Sequence, residues 1–227
     1  MAAARDTVDA LLRDRGLRRS GPEVTAESLL RGASASCRLE GSDYDVDQLR
    51  RGAGDLTAQA ALRLAGQGLG VLPAWKMATV QGLARLHTIA ASGTVPADRL
   101  GRPVSVAAAH RLAQLARTVA ASRRADEPVP GMVLAAIVHA EVATAGAFAS
   151  HNGLLARLAT RLVLVERGVD PASVTVPEAG HLALRSDYVV GLAAYAGGEP
   201  DGIRHWLLHC TQAFAAGAEA AADLVGR

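Results

Sequence analysis

Apolar side chains recur along most of this chain at spacings of three and four and nowhere alternate over a sustained stretch, so the pattern predicts helices and no strand. Thr7 to Arg15 reads as a short helix with Val8, Leu11 and Leu12 on one side, broken by Arg18 to Pro22. A second helix is expected from about 25 to 41, with Thr25 as its N-cap, Glu27 in its first turn and Gly41 as its stop. Asp45 or Asp47 caps a third, whose apolar positions are Leu49, Ala53, Leu56, Ala60 and Leu64. Pro73 opens a fourth that carries Trp75, Met77, Val80, Leu83, Leu86 and Ile89. The irregular stretch from Ser92 to Pro103 leaves room for a small hairpin flap at about 93–103 or an ordered loop.

Further on, helices are expected from Ser105 to Val119, from Gly131 to Ala145, from Asn152 to about Arg167, from Asp187 to Tyr195 and from Pro200 onward. The polar stretch Arg123 to Pro130 is a connector. The result is an all-α chain of about eight or nine helices, without an internal repeat: an N-terminal helical arm over 1–24 and one helical domain over 25–227.

Composition narrows the partners. Half of the 227 residues are hydrophobic and only 3% are aromatic, so the core must be built from Ala, Leu and Val. The net charge is +2, the acids are interspersed among the arginines, and Lys76 is the only lysine. No dense basic patch is left for a nucleic acid. Cys37 and Cys210 are too few for a disulfide framework or a zinc site. Charges at Arg5, Asp6, Asp9 and Arg13 argue against a signal peptide in the first residues, and His139 and Glu141 interrupt the most apolar run, Met132 to Ala149. The expectation is a cytoplasmic protein with no membrane partner.

The segment HAEVATAGAFASHNGLLARLATRLVLVERGVD, from His139 to Asp170, holds the clearest candidate chemistry. An apolar helix ends, a short loop follows, and Asn152-Gly153 begins a new helix. A helix start offers unpaired N–H groups and the positive end of the dipole, which favour an anion. Arg157 stands about one turn inside that helix and can reach back to the same place. Asn152, Gly153 and Arg157 are therefore the candidate anion-binding residues.

This segment resembles the signature H-P-F-x-[D/E]-G-N-[G/K]-R-x-x-R of the Fic/Doc (Fido) domains. Phe148, Asn152, Gly153 and Arg157 fall on its phenylalanine, asparagine, glycine and last arginine. His139 stands seven residues before Gly146, where that family commonly carries another histidine. LHTIAASG at 86–93, GRPV at 101–104 and the tail with Tyr195, Gly198-Glu199 and Trp206 are similar to other parts of the family, so the resemblance spans about 25–222. It implies a Fic-like helical bundle, with ATP or another nucleotide, or another phosphorylated small molecule, as the ligand. It also implies a target protein, and a homodimer is the partner expected for a chain that works through protein contacts.

The departures bear on activity. Gly146 stands where the resemblance implies the catalytic histidine, and glycine cannot accept a proton. Ser150 replaces the acid that would hold magnesium, His151 the first glycine of the loop, and Leu154 the first arginine. Losing a general base alone costs roughly 10²- to 10⁴-fold in rate. The expectation is a degenerate protein, 146–157 being its altered signature, without protein adenylyltransferase activity but open to binding a nucleotide or phosphate ligand. The alternatives are a transferase of altered chemistry, with His151 as a replacement base, and a helical scaffold for protein contacts.

Ser36-Cys37-Arg38-Leu39-Glu40-Gly41 fits the inhibitory-helix pattern [S/T]-x-x-x-E-[G/N] of the same family at every fixed position. The resemblance implies that Glu40 pairs with Arg157, and removing one partner of such a pair, if buried, would cost ~3–5 kcal/mol. His139 is expected to be a buried, hydrogen-bonded histidine. His205 and His209 have ligand spacing without a third ligand nearby, and no metal is expected.

Overall fold

A computed structural model describes residues 21–124, 126 and 129–224. The helix expected at Thr7 to Arg15, most of the expected arm and part of the connector at Arg123 to Pro130 lie outside the described residues. The α-helices are α1 (Pro22–Leu39), α2 (Val46–Arg50), α3 (Leu56–Gln67), α4 (Leu72–Met77), α5 (Thr79–Ala91), α6 (Val106–Arg124), α7 (Gly131–Ala145), α8 (Asn152–Glu166), α9 (Pro177–Ala183), α10 (Arg185–Ala196) and α11 (Pro200–Glu219). There is no strand among the described residues, and the all-α class holds. No helix among them is long and apolar enough to cross a membrane.

There are more helices than the eight or nine expected because two predicted helices are each broken in two and a short one was not foreseen. Asp45 caps α2 with a capping box to Gln48, but Gly52 and Gly54 then turn the chain at positive φ and Asp55 caps α3 afresh. Extended backbone at Ala78 separates α4 from α5. The short α9 begins at Pro177, directly after its N-cap Val176. The hairpin considered for 93–103 is absent: this stretch is a loop with one 3₁₀ turn, Ala97–Arg99. Gly21, not Thr25, is the N-cap of α1, because Pro22 fits the first turn, where no N–H is needed. The Thr25 hydroxyl instead donates to Ala172 O at 2.8 Å.

The antiparallel pair α7 and α8 forms the centre. α8 is buried at every residue from Leu154 to Leu164. Helices α10 and α11 cover α7, α5 packs on α8, and α1 lies across α3 and α9. Small residues let α1 come close: Gly32, Ala33, Ser34, Ala35, Ser36 and Cys37 are all buried. A Cβ on Gly32 would lie 2.7 Å from Arg161 Nη2 and 2.9 Å from Glu178 Oε2. Polar ties fix the axial position of α1. Ser28 donates to Thr175 O at 2.7 Å, and Arg31 pairs with Asp223 at 2.6 Å. The helix stops at Glu40 because Gly41 turns with φ 90° and Ser42 N–H reaches back to Cys37 O. That places Glu40 over the start of α8.

Candidate functional site

The loop between α7 and α8 is clamped from several sides. Gly146 ends α7 in the left-handed region at φ 52°. Phe148 is buried and stacks on the His87 ring, with centroids 4.8 Å apart. The Asn152 amide grips the Phe148 backbone twice: Oδ1 accepts from its N–H at 3.0 Å and Nδ2 donates to its carbonyl at 2.8 Å. Val104 N–H donates to Ala147 O at 2.9 Å, and Gly101 N–H donates to His87 Nδ1 at 2.9 Å. The side chain of Asn152 is thus spent on holding the loop, and only its backbone N–H is left for a ligand.

His151 is the N-cap of α8 but adopts φ 59° and makes no side-chain capping bond. The first N–H groups of α8 therefore have no side-chain cap, and an α-helix leaves such groups without partners of its own. The left-handed turn also explains why glycine suits position 151 in the signature. Burial lowers the His151 pKa, as does Arg63, while Glu40 opposes the shift. His151 Nε2, Ser150 Oγ and His87 Nε2 are buried without a protein partner.

Glu40 and Arg157 meet as the sequence implies. Glu40 Oε1 lies 2.5 Å from Arg157 Nη2. The same oxygen rests on the first turn of α8, since a Cβ on Gly153 would lie 2.2 Å from it. The pair is buried on one side only: the arginine side chain is 2% exposed and the glutamate 33%. Arg157 Nε also donates to Ser36 Oγ at 3.0 Å, and Nη1 donates to Tyr188 Oη at 2.9 Å. Burial opposes the Arg157 charge, but Tyr188 and Glu40 outweigh it and raise its pKa. Ser36, Glu40, Gly153 and Arg157 therefore converge on one point, and Gly41 supplies the turn that ends the α1 side.

The altered positions have distinct surroundings. Gly146 is exposed, and a Cβ there would meet nothing. Leu154 is 2% exposed and belongs to the core, so an arginine in its place would bury a charge. His139 is buried and bonded on both nitrogens, to Thr160 Oγ1 and to Tyr188 Oη, each at 3.1 Å. His209 does not act with His205: it is buried against His181 at 3.0 Å, while His205 lies 3.8 Å from Asp187. Burial pushes the Cys37 thiol up to about 12. Tyr188 and Arg161 escaped the sequence reading. The signal for Arg161 was present, since two arginines four apart on an apolar helix both need partners.

No family model matches the chain, and no curated protein matches it. Solved structures do. A Fic family protein from Desulfovibrio desulfuricans G20 superposes with TM-score 0.78 at 16% identity, over 98% of this chain and 73% of that one. Fic-1 of C. elegans gives 0.70 at 16% identity, over 98% and 69%. A Fic-domain-containing signaling protein from Bacteroides thetaiotaomicron VPI-5482 gives 0.66 at 13% identity, over 99% and 97%. The fold is therefore that of the Fic domain.

Proposed function

We propose that this chain is a Fic-fold binding protein that takes a phosphate-bearing ligand, a nucleotide first of all, at the amino end of α8 and does not transfer AMP. The supporting observation is the position of the Glu40 carboxylate. It is an anion held by the one buried arginine of the cradle, over the helix turn at Gly153. A phosphate group meets the same requirements of charge, donors and helix dipole. Glu40 is the resident competitor, and its partial exposure gives it a way out. Transfer lacks its parts, since Gly146 offers no base and Ser150 no carboxylate.

Calorimetry with ATP and magnesium tests the binding. Glu40→Ala is expected to bind at least ~10-fold more tightly than the parent chain, the equivalent of roughly 1.4 kcal/mol, and Glu40→Ala with Arg157→Ala is expected not to bind. Equal affinity in all three sinks the reading. Mass spectrometry after incubation with ATP and a cell lysate tests for transfer, and no adenylylated protein is expected. Adducts that vanish in His151→Ala would instead make His151 the base of an altered transferase, a reading favoured by its buried, unpartnered Nε2.

A further inference from the structure

The contacts of Arg157 divide by origin. Ser36 Oγ, Ser36 O and Glu40 Oε1 all come from the last turn of α1 and its cap. The Tyr188 hydroxyl comes from α10 and belongs to no part of α1. When a ligand displaces Glu40, the arginine must still point at the start of α8.

The hydrogens behind Tyr188 can be assigned one by one. Thr160 Oγ1 donates its single hydrogen to Ala156 O at 3.0 Å. His139 Nδ1, 3.1 Å from that oxygen, must then be the donor to it. A neutral imidazole protonated on Nδ1 has its lone pair on Nε2, which accepts the Tyr188 hydroxyl at 3.1 Å. The phenolic oxygen is left with lone pairs alone facing Arg157. Every hydrogen in the chain points away from the guanidinium, and successive bonds of one sense strengthen each other. The members are sealed from water: Thr160 is 1% exposed, His139 1%, Tyr188 6% and Arg157 2%. The rings of Trp206 and His181 close around His139 at 5.1 and 4.8 Å, and Trp206 is anchored through Nε1 to Ala136 O.

We infer that Tyr188, oriented by His139 and Thr160, is the positioning residue that holds Arg157 toward the cradle when Glu40 is displaced. The inference rests on reading that cradle as an anion site. It extends the site to a residue of α10, outside the signature segment, that acts through Arg157.

The test is made in the Glu40→Ala chain, with ATP as the probe. Tyr188→Phe is expected to lower ATP affinity about tenfold, the scale of a hydrogen bond to a charged group. Tyr195→Phe, which removes a hydroxyl bound to Glu141 instead, is the control and leaves affinity unchanged. His139→Leu should match Tyr188→Phe, whereas His139→Gln, whose side-chain oxygen can still accept from Tyr188, should restore most of the affinity. Nitrogen-15 spectra of the Arg157 guanidinium give a readout independent of ATP: its Nη resonances should be distinct in Glu40→Ala and merge when Tyr188→Phe is added. ATP affinity equal within twofold in Tyr188→Phe overturns the assignment. If Glu40→Ala does not bind ATP, the cradle reading fails by itself. The guanidinium spectrum then decides the positioning role: merged resonances uphold it and unchanged ones overturn it.

Discussion

Arg157 and Arg161 stand one turn apart on α8, each 2% exposed, each reaching a serine of α1 and each paired with a carboxylate. Their partners differ. Glu178 is 5% exposed and meets Arg161 with both oxygens at 2.7 Å. Ser28, Ser173 and Thr175 O satisfy the rest of that guanidinium. Glu40 meets Arg157 with one oxygen and is a third exposed. Pairing of a buried arginine is therefore no guide to role by itself. A carboxylate sealed on all sides is part of the frame, and one open to water can give its place to another anion.

The sharpest test of that contrast is Glu178→Ala. It strands the Arg161 charge in the interior and should cost ~3–5 kcal/mol. For a chain of this size that lowers the melting temperature by about 6–20 °C. A loss below ~1 kcal/mol would mean that water reaches Arg161, and the two pairs would no longer differ in kind.

Acid probes the Arg157 side by another route, because Arg157 acts on His139 and His181. Burial first, with Arg157 and neighbouring histidines adding, holds His139 and His181 well below 6.5, and burial lowers His209 to about 4. All three are neutral in the fold but take up protons in the unfolded chain below 6.5. Stability is therefore complete above that value and declines as pH falls from it toward the folded values, by roughly 1.4 kcal/mol per pH unit for each group. Urea midpoints should be lower at about pH 5.5 than at about pH 7, and His209→Gln should flatten the difference. Midpoints that stay constant would show that the cluster accepts protons in place.

Much of this was legible in the sequence where the determinants are local. The apolar run Gly131–Ala145, the loop and the Asn152 helix start follow from neighbours in the chain. So does the end of α1 at Glu40-Gly41. The Glu40–Arg157 contact spans 117 positions and was accessible only through the family resemblance. Glu178 and Tyr188 stayed hidden for a physical reason. Glu178 lies on the seven-residue α9, too short to show a period, and Tyr188 acquires its role from His139, 49 positions away. The break at Gly52 and Gly54 was missed because Leu49, Leu56 and Leu64 keep an apolar spacing across it.

Two glycines give a finer test, since each faces one of the pairs. A methyl on Gly32 would lie 2.7 Å from Arg161 Nη2 and 3.0 Å from Glu178 Cδ. Neither group can move without leaving its partners, so Gly32→Ala should cost ~1–3 kcal/mol through overpacking. A thermal melt reads it, and a neutral result would show slack between α1 and α8.

Gly153→Ala should have the smallest effect of all. The added methyl would lie 2.2 Å from Glu40 Oε1, a closer approach than any at Gly32. The obstructing atom is the end of a flexible, partly solvated side chain that can swing into water. Arg157 keeps Ser36 and Tyr188 when the exposed Glu40 swings away, so the cost falls well below that of stranding Arg161, and alanine, the better helix former, offsets part of it. The melting temperature should therefore stay within a few degrees while the Glu40–Arg157 contact opens, seen as a shift of the Arg157 guanidinium resonances. A loss as large as that of Gly32→Ala would mean that Glu40 is held as firmly as Glu178, and a carboxylate held that firmly would not yield its place to a phosphate.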